Sequence, residues 1–122
     1  MDNNKQYDKR LSPRITRTFI IRHRPRQDGE LFEWDECFIK NMSLRGCYCS
    51  GSHPYKEGDI LDIQIQLPTA KEPLRLTGEV KRCHPDKPLG VYGIAIQFLD
   101  LDEQQKNIIN ETIAFFLHKR SN

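Results

Sequence analysis

"GDILDIQIQLP", Gly58 to Pro68, alternates apolar and polar residues along most of its length. Ile63, Ile65 and Leu67 share one face of an extended chain, Ile60 adds to the apolar set, and Pro68 stops the run. A period of two marks a half-buried β-strand, because successive side chains point to opposite faces of a sheet.

The same pattern recurs on both sides. Downstream, "PLRLTGEVKRCH" (73–84) alternates with Leu74, Leu76, Gly78, Val80 and Arg82 on one face, and "VYGIAIQFLD" (91–100) gives a further strand. Upstream, "GCYCSG" (46–51) reads as a short strand ended by Gly51, and "NMSLRG" (41–46) as the turn before it. "ELFEWDECFIK" (30–40) offers Leu31, Phe32, Trp34, Phe38 and Ile39 as core contacts. "TRTFIIRHRPR" (16–26) is rich in β-branched and aromatic residues, and Asp28-Gly29 between these two segments is hairpin chemistry. The period changes only at the end. "DEQQKNIINETIAFFLHKR" carries Ile108, Ile109, Ile113, Phe116 and Leu117 at helical spacing, with Phe115 off the centre of the stripe as an exposed contact. Asp102 and Gln105 stand three apart as a capping box requires, and Lys119 and Arg120 suit the C-terminal end of the helix dipole. The expected fold is all-β with a terminal helix: a six-stranded antiparallel β-barrel with the C-terminal α-helix packed on it. The expected organisation is a flexible basic N-terminal arm over 1–14, the barrel over 15–100 and the amphipathic helix over 101–119.

The 122 residues fit one domain. A net charge of +2 is too small for a general nucleic-acid binder, but eight Lys or Arg and only Asp8 lie between Lys5 and Arg26. A local basic patch on a body that is otherwise acidic on balance suits a small anion rather than a long polyanion. No apolar run approaches the roughly 20 residues that cross a bilayer. The first ten residues, "MDNNKQYDKR", hold no apolar signal core. A cytoplasmic protein without membrane insertion is expected. Cys37, Cys47, Cys49 and Cys83 are then free thiols acting as small apolar residues, and C-x-C without a second cysteine pair is a poor zinc signal. No nucleophile–base spacing, Gly-rich phosphate loop or metalloprotease helix is present, so no enzyme and no cofactor are expected.

Two short motifs carry the functional reading. "RLSPR" sets Arg10 and Arg14 in an R-x-x-x-R pattern, with Lys9 before it, and "NMSLRG" sets Asn41, Ser43 and Gly46 in the pattern [D/N]-x-S-x-x-G. In this order, with a β-hairpin between them and "GVYGIAIQF" (90–98) as the closing strand, they resemble a PilZ domain over about residues 9 to 100. The resemblance implies a bacterial receptor for cyclic di-GMP. By that resemblance Arg10 and Arg14 serve the ligand's phosphates and guanines, Asn41 the guanine edge, and Ser43 the neighbourhood of the phosphate. Gly46 allows close backbone approach or a positive φ. Lys9 sits where the family varies between one ligand and a stacked pair, and both stoichiometries stay open.

The chemistry agrees. An arginine fork pairs bidentately with phosphate oxygens and with guanine O6 and N7, and its face stacks on a purine. Asn41 in place of the commoner Asp offers one neutral acceptor, a bond worth about 1 kcal/mol against about 1.5–3 with a charged partner. The reading is a cyclic di-GMP receptor or adaptor whose arm orders around the ligand and so controls an unidentified downstream protein. A monomer without DNA or RNA is expected. The alternatives are a PilZ-like protein-interaction module of a pilus or motility system, and a nucleic-acid-binding barrel with steep salt dependence.

Overall fold

The computed structural model describes residues 14–15, 19–26, 32–67, 70–86 and 90–121. Seven strands and one helix follow in order: β1 (Arg14–Ile15), β2 (Phe19–Pro25), β3 (Asp35–Ser43), β4 (Gly46–Gly51), β5 (Ile60–Ile65), β6 (Leu74–Asp86), β7 (Val91–Leu99) and α1 (Glu103–Ser121). Every pairing is antiparallel, and the ring β3–β2–β5–β6–β7–β4 closes when β4 returns to β3. The chain thus forms the six-stranded closed barrel with a C-terminal helix. The two-residue β1 adds to the side of β3 that β2 also uses.

The interior is built by alternation. Ile21, Cys37, Ile39, Cys47, Cys49, Leu61, Ile63, Ile65, Leu74, Leu76, Val80, Ile94, Ile96 and Phe98 point inward and are buried. In β5 the first inward residue is Leu61 rather than Ile60, which keeps strict parity with Ile63 and Ile65. Parity breaks at two places. β3 is bulged between Ile39 and Asn41, so Ile39 and Met42, three apart, both reach the core. β6 is bulged between Val80 and Arg82, so Arg82 leaves the inward row of Leu74, Leu76, Gly78 and Val80 and is exposed. Burying a guanidinium in an apolar barrel would cost several kcal/mol, and one extra residue avoids it.

Three further expectations are corrected. "NMS" belongs to β3, and only Leu44 and Arg45 form the turn. Phe38 is 52% exposed, because Cys37 and Ile39 on either side take the inward positions. Gly51 stands so close to Cys37 that its missing Cβ would lie 2.7 Å from the Cys37 Cβ. That wall of the interior has room for small side chains, not for a phenyl ring. Trp34 is half-buried before β3, with the Arg24 guanidinium 4.2 Å above its ring. Leu31, the Asp28-Gly29 turn, Pro68 and the 1–13 part of the arm lie outside the described residues.

The helix is fixed at its start. The Gln105 N–H donates to Asp102 Oδ1 at 2.7 Å and the Asp102 N–H donates to Gln105 Oε1 at 2.8 Å, the reciprocal pair of a capping box. The same Gln105 amide donates to the Arg75 carbonyl at 2.8 Å and ties the cap to β6. Ile109 and Ile113 are buried, Ile108 is partly so, and α1 packs on β1, β3 and β6. Leu117 and Phe115 are 37% and 39% exposed.

Candidate ligand-binding site

The register of β1 on β3 sets Arg14 opposite Ser43 and Ile15 opposite Met42. Opposed residues of an antiparallel pair have Cα atoms about 4.5–5.5 Å apart. The second arginine of "RLSPR" and the serine of "NMSLRG", far apart in sequence, are therefore backbone neighbours. Lys9 and Arg10 lie outside the described residues.

Beside this junction the barrel exterior opens into a cleft of about 620 Å³. Asn41, Ser43, Arg45, Gly46 and Tyr48 line it from β3, β4 and the turn between them, and Lys81, Arg82, Ala95 and Gln97 from β6 and β7. One cross-strand row runs through it: Asn41 opposes Tyr48, Tyr48 opposes Ala95, and Ala95 opposes Arg82. Both bulges fall at the ends of this row. Bulges re-aim side chains and cluster beside binding sites.

Ser43 and Gly46 have local roles. The Ser43 Oγ accepts the Arg45 N–H at 3.2 Å and so shapes the turn into β4. The Arg45 carbonyl in turn accepts the Phe98 N–H at 2.8 Å. Gly46 does not take a positive φ. Its reason is close approach: a Cβ there would stand 3.0 Å from Gln97 Cα and nearer still to the Ile96 carbonyl oxygen, so only glycine lets β4 lie against β7 under the cleft. Tyr48 is seated in a similar way. Its ring lies over Gly93, where a Cβ would collide with it, and stacks near His84 at 6.3 Å between centroids.

Charge separates this cleft from the other one. A smaller hollow of about 310 Å³ lies over β2, β5 and β6 and holds Arg24, Arg26, Arg75, Trp34 and Asp62. There Asp62 already pairs with Arg26 at 2.5 Å and with Arg24 at 3.4 Å. Among the described residues, Lys81 is the one cation of the motif cleft with a carboxylate, Glu79 at 3.7 Å, and none pairs with Arg45 or Arg82. Uncompensated cations in a concave surface attract an anion from outside.

Sequence reasoning reached Asn41, Ser43 and Gly46 but missed Tyr48, Lys81, Arg82, Ala95 and Gln97. A signal was present for two of them. Alternation through "GEVKRC" would drive Arg82 inward, and a strand that cannot bury an arginine has to bulge.

Among the described residues no group of three or more His, Cys, Asp or Glu is arranged to hold a metal, and no helix is long and apolar enough to cross a membrane. Cys37, Cys47 and Cys49 are buried free thiols; hydrogen bonding to Cys49 and then burial push Cys37 and Cys47 above the ordinary thiol range.

Comparison with known proteins fits the geometry. The family model for the PilZ domain matches residues 8–115. The comparison with curated proteins finds no match. Among solved structures, the chain resembles the Bacillus subtilis inhibitor of motility MotI/DgrA at 17% identity and TM-score 0.72, covering 93% of this chain and 54% of that one. It resembles MrkH in the K. pneumonia MrkH–c-di-GMP complex at 14% identity and TM-score 0.70, covering 94% and 54%. It resembles the PilZ domain with c-di-GMP of YcgR from Escherichia coli at 12% identity and TM-score 0.63, covering 93% and 95%. The chain spans about half the length of the first two proteins and nearly all of the isolated domain.

Proposed function

The chain belongs to the PilZ domain family, and from that premise we propose that it is a receptor for cyclic di-GMP, bound in the outer cleft beside β1. The observation that carries the reading is the pairing of Arg14 with Ser43, which joins the two motifs at the mouth of that cleft. Two of the structures it resembles, MrkH and the YcgR domain, were solved with c-di-GMP.

The roles follow from the chemistry. Arg10 and Arg14 pair with phosphate oxygens and with guanine O6 and N7, where a planar fork gives two parallel hydrogen bonds. Asn41 accepts from the guanine edge, and the Ser43 hydroxyl, already engaged with the turn, donates toward a phosphate. Gly46 keeps β4 tight against β7 beneath the ligand. Lys9 adds charge at the arm. Binding, not catalysis, is the function.

The output is conformational. Without ligand the arginines of the arm repel each other, and the arm has little apolar surface to bury. The dianion lets them share one site, so ligand binding draws Arg10 to the place where β1 already sets Arg14 against β3. The ligand's preference for that state sets the size of the shift. Arm, ligand and barrel then form one surface for a downstream protein. The test is calorimetric titration with cyclic di-GMP of wild type, Arg10→Ala and Arg14→Ala. A Kd of micromolar or tighter, about −8 kcal/mol, lost in both variants, supports the receptor. Absence of heat from folded wild type moves the interaction-module reading into its place.

A further inference from the structure

We propose that the two-cation bulge of β6 forms the far wall of the same site and that Arg82 contacts the bound dinucleotide directly; this rests on the receptor reading above. The argument starts from β6 itself. Its inward positions are Leu74, Leu76, Gly78 and Val80, so unbroken alternation would leave Lys81 outside and Arg82 inside. The bulge puts both side chains outside as consecutive exposed cations, and both line the cleft.

The row Asn41–Tyr48–Ala95–Arg82 shows what they face. Three strand spacings of about 4.8 Å, roughly 14 Å in all, separate the β3 and β6 ends. The motif residues occupy the β3 end and leave the β6 end to Arg82. The small side chain at Ala95 keeps the middle of the row low, between the Tyr48 ring and the Arg82 guanidinium. A compact molecule with two phosphates and two guanines presents its second half to that wall. Arg82 has no carboxylate partner among the described residues, whereas Lys81 is held toward Glu79 at 3.7 Å. The fork of Arg82 is thus the group left to meet a phosphate or a guanine O6/N7 edge.

The experiment is titration of wild type, Arg82→Ala, Arg82→Lys and Lys81→Ala with cyclic di-GMP, each with a thermal melt. Arg82 is exposed, so the melts should coincide. Arg82→Ala should weaken binding about 10- to 100-fold, the scale of one charge-assisted bidentate contact. Arg82→Lys should remain at least about fivefold weak, because an ammonium lacks the fork. Lys81→Ala should change affinity less than Arg82→Ala does. Wild-type binding with Arg82→Ala within about twofold of it overturns the proposal and leaves the receptor reading standing. Full rescue by lysine also overturns it, since a field alone would then suffice. No binding by wild type overturns the receptor reading first and this one with it.

Discussion

Replacing Gly46 by alanine tests the account of the site's floor. The new Cβ would sit 3.0 Å from Gln97 Cα and from the Ile96 carbonyl carbon, and closer to the Ile96 carbonyl oxygen. All three obstacles are backbone atoms of β7, so no rotamer change relieves the clash. The first rung of the β4–β7 ladder, Gly46 opposite Gln97, has to open. Overpacking of this kind costs about 1–3 kcal/mol. At about 3–5 °C per kcal/mol for a domain of this size, Tm should fall by about 3–15 °C. Differential scanning calorimetry measures the fall, and cyclic di-GMP titration of the same sample should show weakened binding, since Gly46 and Gln97 both line the cleft. A variant that melts within about 1 °C of wild type yet loses the ligand would refute the reasoning. The glycine would then serve the ligand's approach and not the strand's.

Two further expectations concern the barrel interior. His23 is buried, its Nδ1 lies 2.5 Å from the Tyr55 hydroxyl, and its Nε2 has no partner among the described residues. Burial lowers its pKa, partly opposed by Cys49 and Asp35, so as pH falls the unfolded chain takes up the proton first. Stability is therefore complete above the unfolded value of about 6.5 and should fall as pH drops below it. Urea melts of wild type and His23→Gln check this, and an unchanged pH slope in the variant would contradict it. The thiols give the other test. Cys37, Cys47 and Cys49 should resist alkylation until the barrel unfolds, while the half-buried Cys83 reacts first; mass spectrometry of pulse-labelled protein distinguishes the sites.

The legible parts of this fold are those set by short-range periodicity. Ile63, Ile65 and Leu67 announce β5, and Asp102 with Gln105 announces the helix start, because each depends on neighbours a few residues away. The bulges were harder to read, since an inserted residue changes parity without leaving a composition mark. At Lys40 the bulge hid Asn41 and Ser43 inside what read as a turn. At Lys81 it hid Arg82, although the conflict between alternation and a buried charge was there to find. Phe38 and Trp34 depart from the core for other reasons: the wall at Cys37 and Gly51 is tight beside Phe38, and Trp34 lies before β3 under the Arg24 guanidinium. The motif residues of the site were legible as a family resemblance. Their meeting was not, because a two-residue strand carries no periodic signal and only its partner on β3 defines it.

The central claim is a location as well as a ligand, and backbone amide chemical shifts report both. In a titration of labelled protein with cyclic di-GMP, the account predicts saturable shifts at Asn41, Ser43, Tyr48, Ala95 and Arg82, together with the arm around Arg14. Gln64 and Thr77, in the hollow where Asp62 already pairs with Arg24 and Arg26, should stay in place. Shifts centred on Gln64 and Thr77, or none at millimolar ligand, would contradict it.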